Sequence, residues 1–139
     1  MKRFFLAHSK SDDDQRISSL VSFAHDAVTK AAHGEAFQIM PGRDFYNARF
    51  KQCGSWEAWA EEAACGIDFA TREPLFHGFL VPSVRVSAGT AKIIEKALAT
   101  RKPCFVFRSD STVARILAVR LADAGDWATG WALTIGQFT

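Results

Sequence analysis

The sequence predicts an α/β fold: a single domain over residues 1–139, doubly wound, with a mainly parallel five-stranded sheet flanked by helices. Three observations carry that expectation. Short apolar runs without polar alternation recur along the chain, as in strands covered on both faces. Between them lie longer segments whose apolar residues return every three or four positions. The length of 139 residues fits one domain with one core, and no repeat, low-complexity run or linker divides it.

The elements follow in order. "RFFLAHS" (Arg3–Ser9) reads as a first strand ending in small polar residues. "SDDDQRISSLVSFAHDAVTKAAHG" then changes period, with Ile17, Leu20, Val21, Ala24, Ala27, Val28 and Ala31 on one helical stripe. Ser11 or Asp12 is expected to cap it, and Gly34 to stop it. "EAFQIMPG" reads as a second strand closed by Pro41-Gly42, followed by "RDFYNARFKQC", which has no clean period and is expected to be a loop. "GSWEAWAEEAACG" reads as a compact helix capped by Ser55 and ended by Gly66, with Trp56 and Trp59 facing the core.

"PLFHGFLVPS" and "PCFVF" read as the third and fourth strands. The helix between them buries Thr90, Ile93, Ile94, Ala97 and Leu98. "STVARILAVRLADAG" is expected to be a last helix and "WALTIGQF" a fifth strand. The arrangement this suggests is Rossmann-like, with the flavodoxin-like strand order 2-1-3-4-5 and right-handed crossovers. In such folds ligands bind outside the carboxyl ends of the strands, at the switch point. "HSKSDD", "PGRDFYNAR" and "SVRVSAGT" should therefore converge there.

Composition narrows the function. Apolar residues make up 48% and charged residues 23%, which is ordinary globular composition. A net charge of +2 is too mild to imply nucleic-acid binding by electrostatics. No apolar run approaches the roughly 20 residues of a membrane span. "MKRFFLA" lacks the long apolar stretch and cleavage site of a secretion leader. Cys53, Cys65 and Cys104 are odd in number and contain no Cys-x-x-Cys pair, so they read as reduced thiols in a cytoplasmic protein. His25-Asp26 has no second ligand cluster beside it, so neither a metal nor a cofactor is expected.

The turn after the third strand is the most informative segment. It offers Ser83, Arg85, Ser87, Gly89 and Thr90 around a helix N-terminus, whose free N–H groups suit an oxygen-rich ligand. Gly89 would let that ligand approach the backbone. Either hydroxyl could instead cap the helix. His8 ends the first strand beside Ser9 and could bond a ligand or move a proton. After the second strand, Asp44 is flanked by Arg43, Tyr46 and Arg49. Arginines keep such a carboxylate ionised, so Asp44 could hold ribose hydroxyls or orient a water; it could equally brace its own turn. Tyr46, with Phe45 and Phe50, could stack a base or pack in the core.

Gly89, "AKIIEKAL", Lys102 and "PCFVF", together with "FFLAHS", resemble the nucleoside 2-deoxyribosyltransferase family over about a third of the chain. That resemblance implies a nucleoside or nucleotide ligand and cleavage or transfer of an N-glycosidic bond. It also implies a possible homo-oligomer, because the related transferases build sites across subunits. The family's nucleophile is a helix glutamate. Aligning on Ala97-Leu98 sets Ile93 at that position; Glu95 is the nearest acid, two residues on and about 200° around the helix. Glu95 and Asp44 are thus the candidate catalytic carboxylates, Glu95 reading also as a solvated helix charge. The loss of the glutamate fits a second reading, a non-catalytic module that binds or sequesters a nucleotide. A third is open as well. "FFLAHSKSDDDQ" is similar to the start of Toll/interleukin-receptor-like domains, some of which cleave NAD, but "SWEAWAEE" precedes the third strand where their Ser-x-Trp helix follows it.

Overall fold

The computed structural model describes residues 1–32, 34–82, 87–100, 102–107, 116–119 and 135–137. The elements are β1 (Lys2–Leu6), α1 (Asp14–Ala32), β2 (Phe37–Pro41), α2 (Gly42–Cys53), α3 (Trp56–Cys65), β3 (Gly78–Pro82), α4 (Ala88–Ala99), β4 (Cys104–Phe107), β5 (Ile116–Val119) and β6 (Ile135–Gln137). They form an α/β structure with one six-stranded sheet in the order β2-β1-β3-β4-β5-β6. The first four strands of that order are parallel, with Phe4 opposite Ile39 and Gly78, and Leu80 opposite Phe105. β5 and β6 complete the sheet antiparallel, with Phe107 opposite Ile116 and Val119 opposite Ile135.

Three expectations need correction. Among the described residues the sheet has six strands rather than five. The extra one, β5, falls inside the segment read as the last helix. Its physical reason is chain length: only residues 108–115 separate β4 from β5, and a parallel crossover needs a dozen or more residues. The chain can return only antiparallel, and the continuous apolar run Ile116–Val119 suits a strand as well as a helix. The third correction is α2, which replaces the loop expected after the second strand. Phe45 alone is fully buried on it, so its period is hidden among Arg, Lys and Gln.

Strand residues alternate between two cores. On one face Leu6, Leu80 and Phe107 pack against Leu20, Ala24, Ala27 and Val28 of α1. On the other, Phe5, Phe79, Val81 and Val106 meet α2, α3 and α4 through Phe45, Trp59, Ala63, Ile94 and Leu98. The aromatic richness is concentrated here: Phe5 lies edge-on to Phe45 and Phe76 at 6.3 and 5.3 Å. Such edge-to-face pairs add about 1 kcal/mol each beyond burial.

Helix ends follow local rules. Asp13, rather than Ser11 or Asp12, caps α1 by accepting from the Arg16 N–H at 2.7 Å. Ser55 caps α3 as expected, accepting from the Ala58 N–H. Gly66 ends α3 with φ +66°, where a Cβ would stand 3.2 Å from the Phe76 carbonyl oxygen. No described helix is long and apolar enough to cross a membrane.

Candidate functional site

The crossovers leave β1 and β3 in opposite directions, to β2 on one side and β4 on the other. α1 covers one face and α4 the other. The carboxyl ends of β1 and β3 therefore frame a gap into which the starts of α2 and α4 both point. Beyond Leu6, the Ala7 N–H still bonds the Leu80 carbonyl at 2.8 Å, so β1 delivers His8 to this edge on a fixed backbone.

His8 is the hub of the edge and is only 7% exposed. Its Nε2 lies 3.0 Å from the Arg43 amide, and its Nδ1 3.0 Å from the Ser9 carbonyl oxygen. An amide can only donate and a carbonyl can only accept. The ring is therefore neutral, with its proton on Nδ1. Nε2 thereby satisfies one of the orphan N–H groups at the start of α2, a helix whose N-cap, Pro41, has no side-chain oxygen to offer. Gly42 makes the approach possible: a Cβ there would stand 3.1 Å from Phe5 Cζ and 3.7 Å from His8 Nε2.

The same residue reaches α4 through its backbone. Thr90 Oγ1 donates to the His8 carbonyl at 2.7 Å. Ser87 Oγ lies 3.1 Å from Thr90 Oγ1. Thr90 has one hydroxyl proton and His8 takes it, so Ser87 must be the donor in the second contact. Its own proton is then committed, and only lone pairs of Ser87 Oγ remain for an incoming group. Ser87 is the N-cap of α4 but makes no side-chain cap. Among the described residues, the N–H groups of Ala88 and Gly89 have no partner, as at any uncapped helix start.

Arg43 joins this edge to α1. Its guanidinium pairs with Asp14 at 2.8 Å and also donates to the Asp12 carbonyl. The Asp12 carboxylate accepts from the Ser9 N–H at 2.9 Å. The three successive aspartates thus have separate tasks: Asp12 braces the turn, Asp13 caps α1, and Asp14 holds Arg43.

His8, Ser9, Arg43, Ser87, Gly89 and Thr90 are therefore brought together, as the sequence suggested. Ser83 and Arg85 lie outside the described residues. Asp44 is exposed in the first turn of α2, next to Arg43, and pairs with no side chain among the described residues. Glu95 is half-buried and lies six residues beyond Gly89, about 9 Å down α4 from the edge. Tyr46 is half-buried, stacked on Phe50 at 4.6 Å and edge-on to Trp59 at 5.2 Å.

Arg49 is committed elsewhere. Its Nε donates to Glu62 at 2.6 Å and its Nη2 lies 3.3 Å from Asp68. Glu62, 4% exposed, also accepts from the Phe69 N–H at 3.2 Å. The hydrogen bond to Glu62 raises the Arg49 pKa against the opposing effect of burial. Asp68 is held low by the Ala70 and Thr71 amides. This cluster ties α2 to α3 and to the loop before β3.

The spacing from Trp59 predicts a core position for Trp56. Instead it is 37% exposed, and its ring edge comes within 3.4 Å of where a Gly89 Cβ would be. It is the first residue after the Ser55 cap, where a helix side chain is least enclosed; that position was the available signal. The fold and this edge define an α/β protein with a four-stranded parallel core sheet and a polar site at its carboxyl end. Compared with protein-family models, curated proteins and solved structures, the chain matches none of them.

Proposed function

We propose that the protein binds a nucleoside or nucleotide at this edge, in the manner of a doubly wound, flavodoxin-like fold, with the ribose rather than a phosphate against the tip of α4. The observation that carries the reading is the directed hydrogen-bond chain from Ser87 through Thr90 to His8. It leaves Ser87 Oγ as an acceptor beside the N–H groups of Ala88 and Gly89, which have no partner among the described residues. A sugar hydroxyl answers both, donating to Ser87 and accepting from an amide. A fully ionised phosphate answers only the amides and faces the lone pairs of Ser87. Trp56 offers an exposed aromatic ring whose edge lies beside Gly89, a partner suited to a base. The resemblance to nucleoside 2-deoxyribosyltransferases supports the same ligand class.

Asp12, Asp13 and Asp14, the acids of the turn that follows His8 and of the start of α1, already have partners, which favours binding without bond cleavage. Asp44 supports a second reading, N-glycosidic cleavage, because its exposed carboxylate is unpaired among the described residues and adjoins Arg43.

Amide chemical shifts recorded against nucleosides, nucleoside monophosphates, NAD and inorganic phosphate test both readings. Ribosides are expected to move Ser87, Gly89 and Arg43 together. Ser87→Ala should weaken riboside binding roughly fivefold, the worth of about one neutral hydrogen bond. Binding of phosphate at these amides without riboside binding refutes the ribose assignment. Silence toward every ligand refutes the site. Free base released by wild type and abolished in Asp44→Asn establishes the catalytic reading.

A further inference from the structure

We infer that His8 is a pH-sensitive latch, whose protonation releases the start of α2 from the end of β1. The inference does not depend on any ligand. His8 is buried, and both ring nitrogens are already engaged, one as donor to Ser9 and one as acceptor from Arg43. A second ring proton can go only on Nε2. It would then point at the Arg43 N–H, a donor 3.0 Å away. Two donors cannot share that separation, so the ring and the amide must part.

The surroundings decide what moves. From α2, the charges facing the ring are Arg43 and, in the same turn, exposed Asp44. From the β1–α1 turn and α1 they are Asp12 and Asp14. Asp14 is paired with Arg43, and Asp12 is bonded to Ser9. From α4 the described contacts are hydroxyls only, Thr90 and Ser87. No described carboxylate contacts the imidazole to offset a positive charge. The opposite side is rigid, because His8 is anchored by the Ala7–Leu80 bond and by Thr90 on its carbonyl. The first turn of α2 yields more readily: the His8 ring holds its Arg43 amide, and the Arg43 side chain reaches only to the fully exposed Asp14 and to the Asp12 carbonyl in the turn before α1.

The unlatched state binds one proton more than the latched state. Its population therefore rises as pH falls, by at most about tenfold per pH unit. Long-range proton–nitrogen spectra of the His8 ring, with amide-exchange protection read from about pH 8 to about pH 4, test this on the wild-type protein. The ring is expected to carry its proton on Nδ1 at the upper end. As it titrates, protection of the Arg43 amide is expected to fall by up to tenfold per pH unit. The Ala58 amide, capped by Ser55, should hold its protection. His8→Gln should remove the pH dependence at Arg43. A ring protonated on Nε2 in the neutral form, or constant protection at Arg43 across the range, overturns the latch. Parallel loss at Ala58 does so too, because it means global unfolding.

Discussion

Arg49→Met separates a structural arginine from a ligand-binding one. Arg49 was a candidate ligand residue by sequence, yet its guanidinium holds Glu62 through bonds of 2.6 and 3.1 Å. Without it, a carboxylate on a residue only 4% exposed keeps the Phe69 amide at 3.2 Å and the weak Cys53 thiol donor at 3.8 Å. Removing one partner of a fully buried pair costs about 3–5 kcal/mol. The Arg49 side chain is 22% exposed and Asp68 16%, so water screens part of that loss. About 2–3 kcal/mol is the expected cost, a substantial part of the roughly 5–15 kcal/mol of a typical domain. Urea unfolding of Arg49→Met, Glu62→Leu and the double variant measures it. The double variant should be closer to wild type than the sum of the singles, with a coupling of about 2 kcal/mol. Riboside affinity should be unchanged in Arg49→Met. Additive losses refute the pairing argument. A variant of normal stability that binds riboside poorly returns Arg49 to the ligand site.

Three further outcomes are expected. Gly42→Ala should destabilise by about 1–3 kcal/mol in urea, because its Cβ meets a Phe5 ring locked between Phe45, Phe76 and Phe79; a stabilised variant would show that the ring gives way. Gly66→Ala should cost more than Gly54→Ala: both sit at positive φ, but only Gly66 faces a carbonyl oxygen at 3.2 Å, and equal losses would make the contact irrelevant. Burial pushes the Cys104 thiol up to about 12 from an ordinary 9.0. The folded state thus holds this proton more tightly than the unfolded chain. The stability linked to it is intact below about pH 9 and is lost as pH rises toward 12. Cys104→Ala should flatten that alkaline loss, and native Cys104 should resist thiol reagents at pH 8 while the chain stays folded; rapid labelling refutes its burial.

How far the sequence could be read depended on which physical signal each segment carries. The four parallel strands were legible because "FFL", "FQIM", "FLVP" and "CFVF" are short apolar runs bounded by polar turns. α1 was legible by its stripe and α3 by Ser55 and Gly66. α2 was not. Much of its inward face is met by the half-buried Tyr46, Phe50 and Cys53, and by Arg49, whose ion pair hides a charge where periodicity seeks an apolar residue. β5 was missed for a different reason. Alternating helices and strands imply continued alternation, whereas the short connection after β4 forbids a crossover.

The candidate site was legible by residue type and not by role. Serine, threonine, histidine and arginine at strand ends predict a polar edge, but a hydroxyl can donate, accept or cap, an imidazole can donate or accept, and an arginine can serve any of several acceptors. The fold assigns roles by using up valences. Thr90 has one proton and the His8 carbonyl takes it, which turns Ser87 into a pure acceptor. His8 has two nitrogens and Ser9 and Arg43 take both, which removes it from direct chemistry and makes it a coupling element. Arg43 is shared with Asp14, so its charge is partly balanced before any ligand arrives. What remains among the described residues is an acceptor at Ser87, two amides at α4, an exposed aromatic ring at Trp56 and a carboxylate at Asp44 without a side-chain partner. A riboside would use the first three as they stand, whereas a phosphate would require Ser87 to turn its own proton away from Thr90 and break the Ser87–Thr90 contact, leaving Thr90 on the His8 carbonyl. Thr90→Val decides between these, since it frees the Ser87 proton while keeping side-chain volume. If the bookkeeping of protons is right, the variant gains phosphate binding and loses riboside preference. An unchanged preference means that Ser87 does not select the ligand.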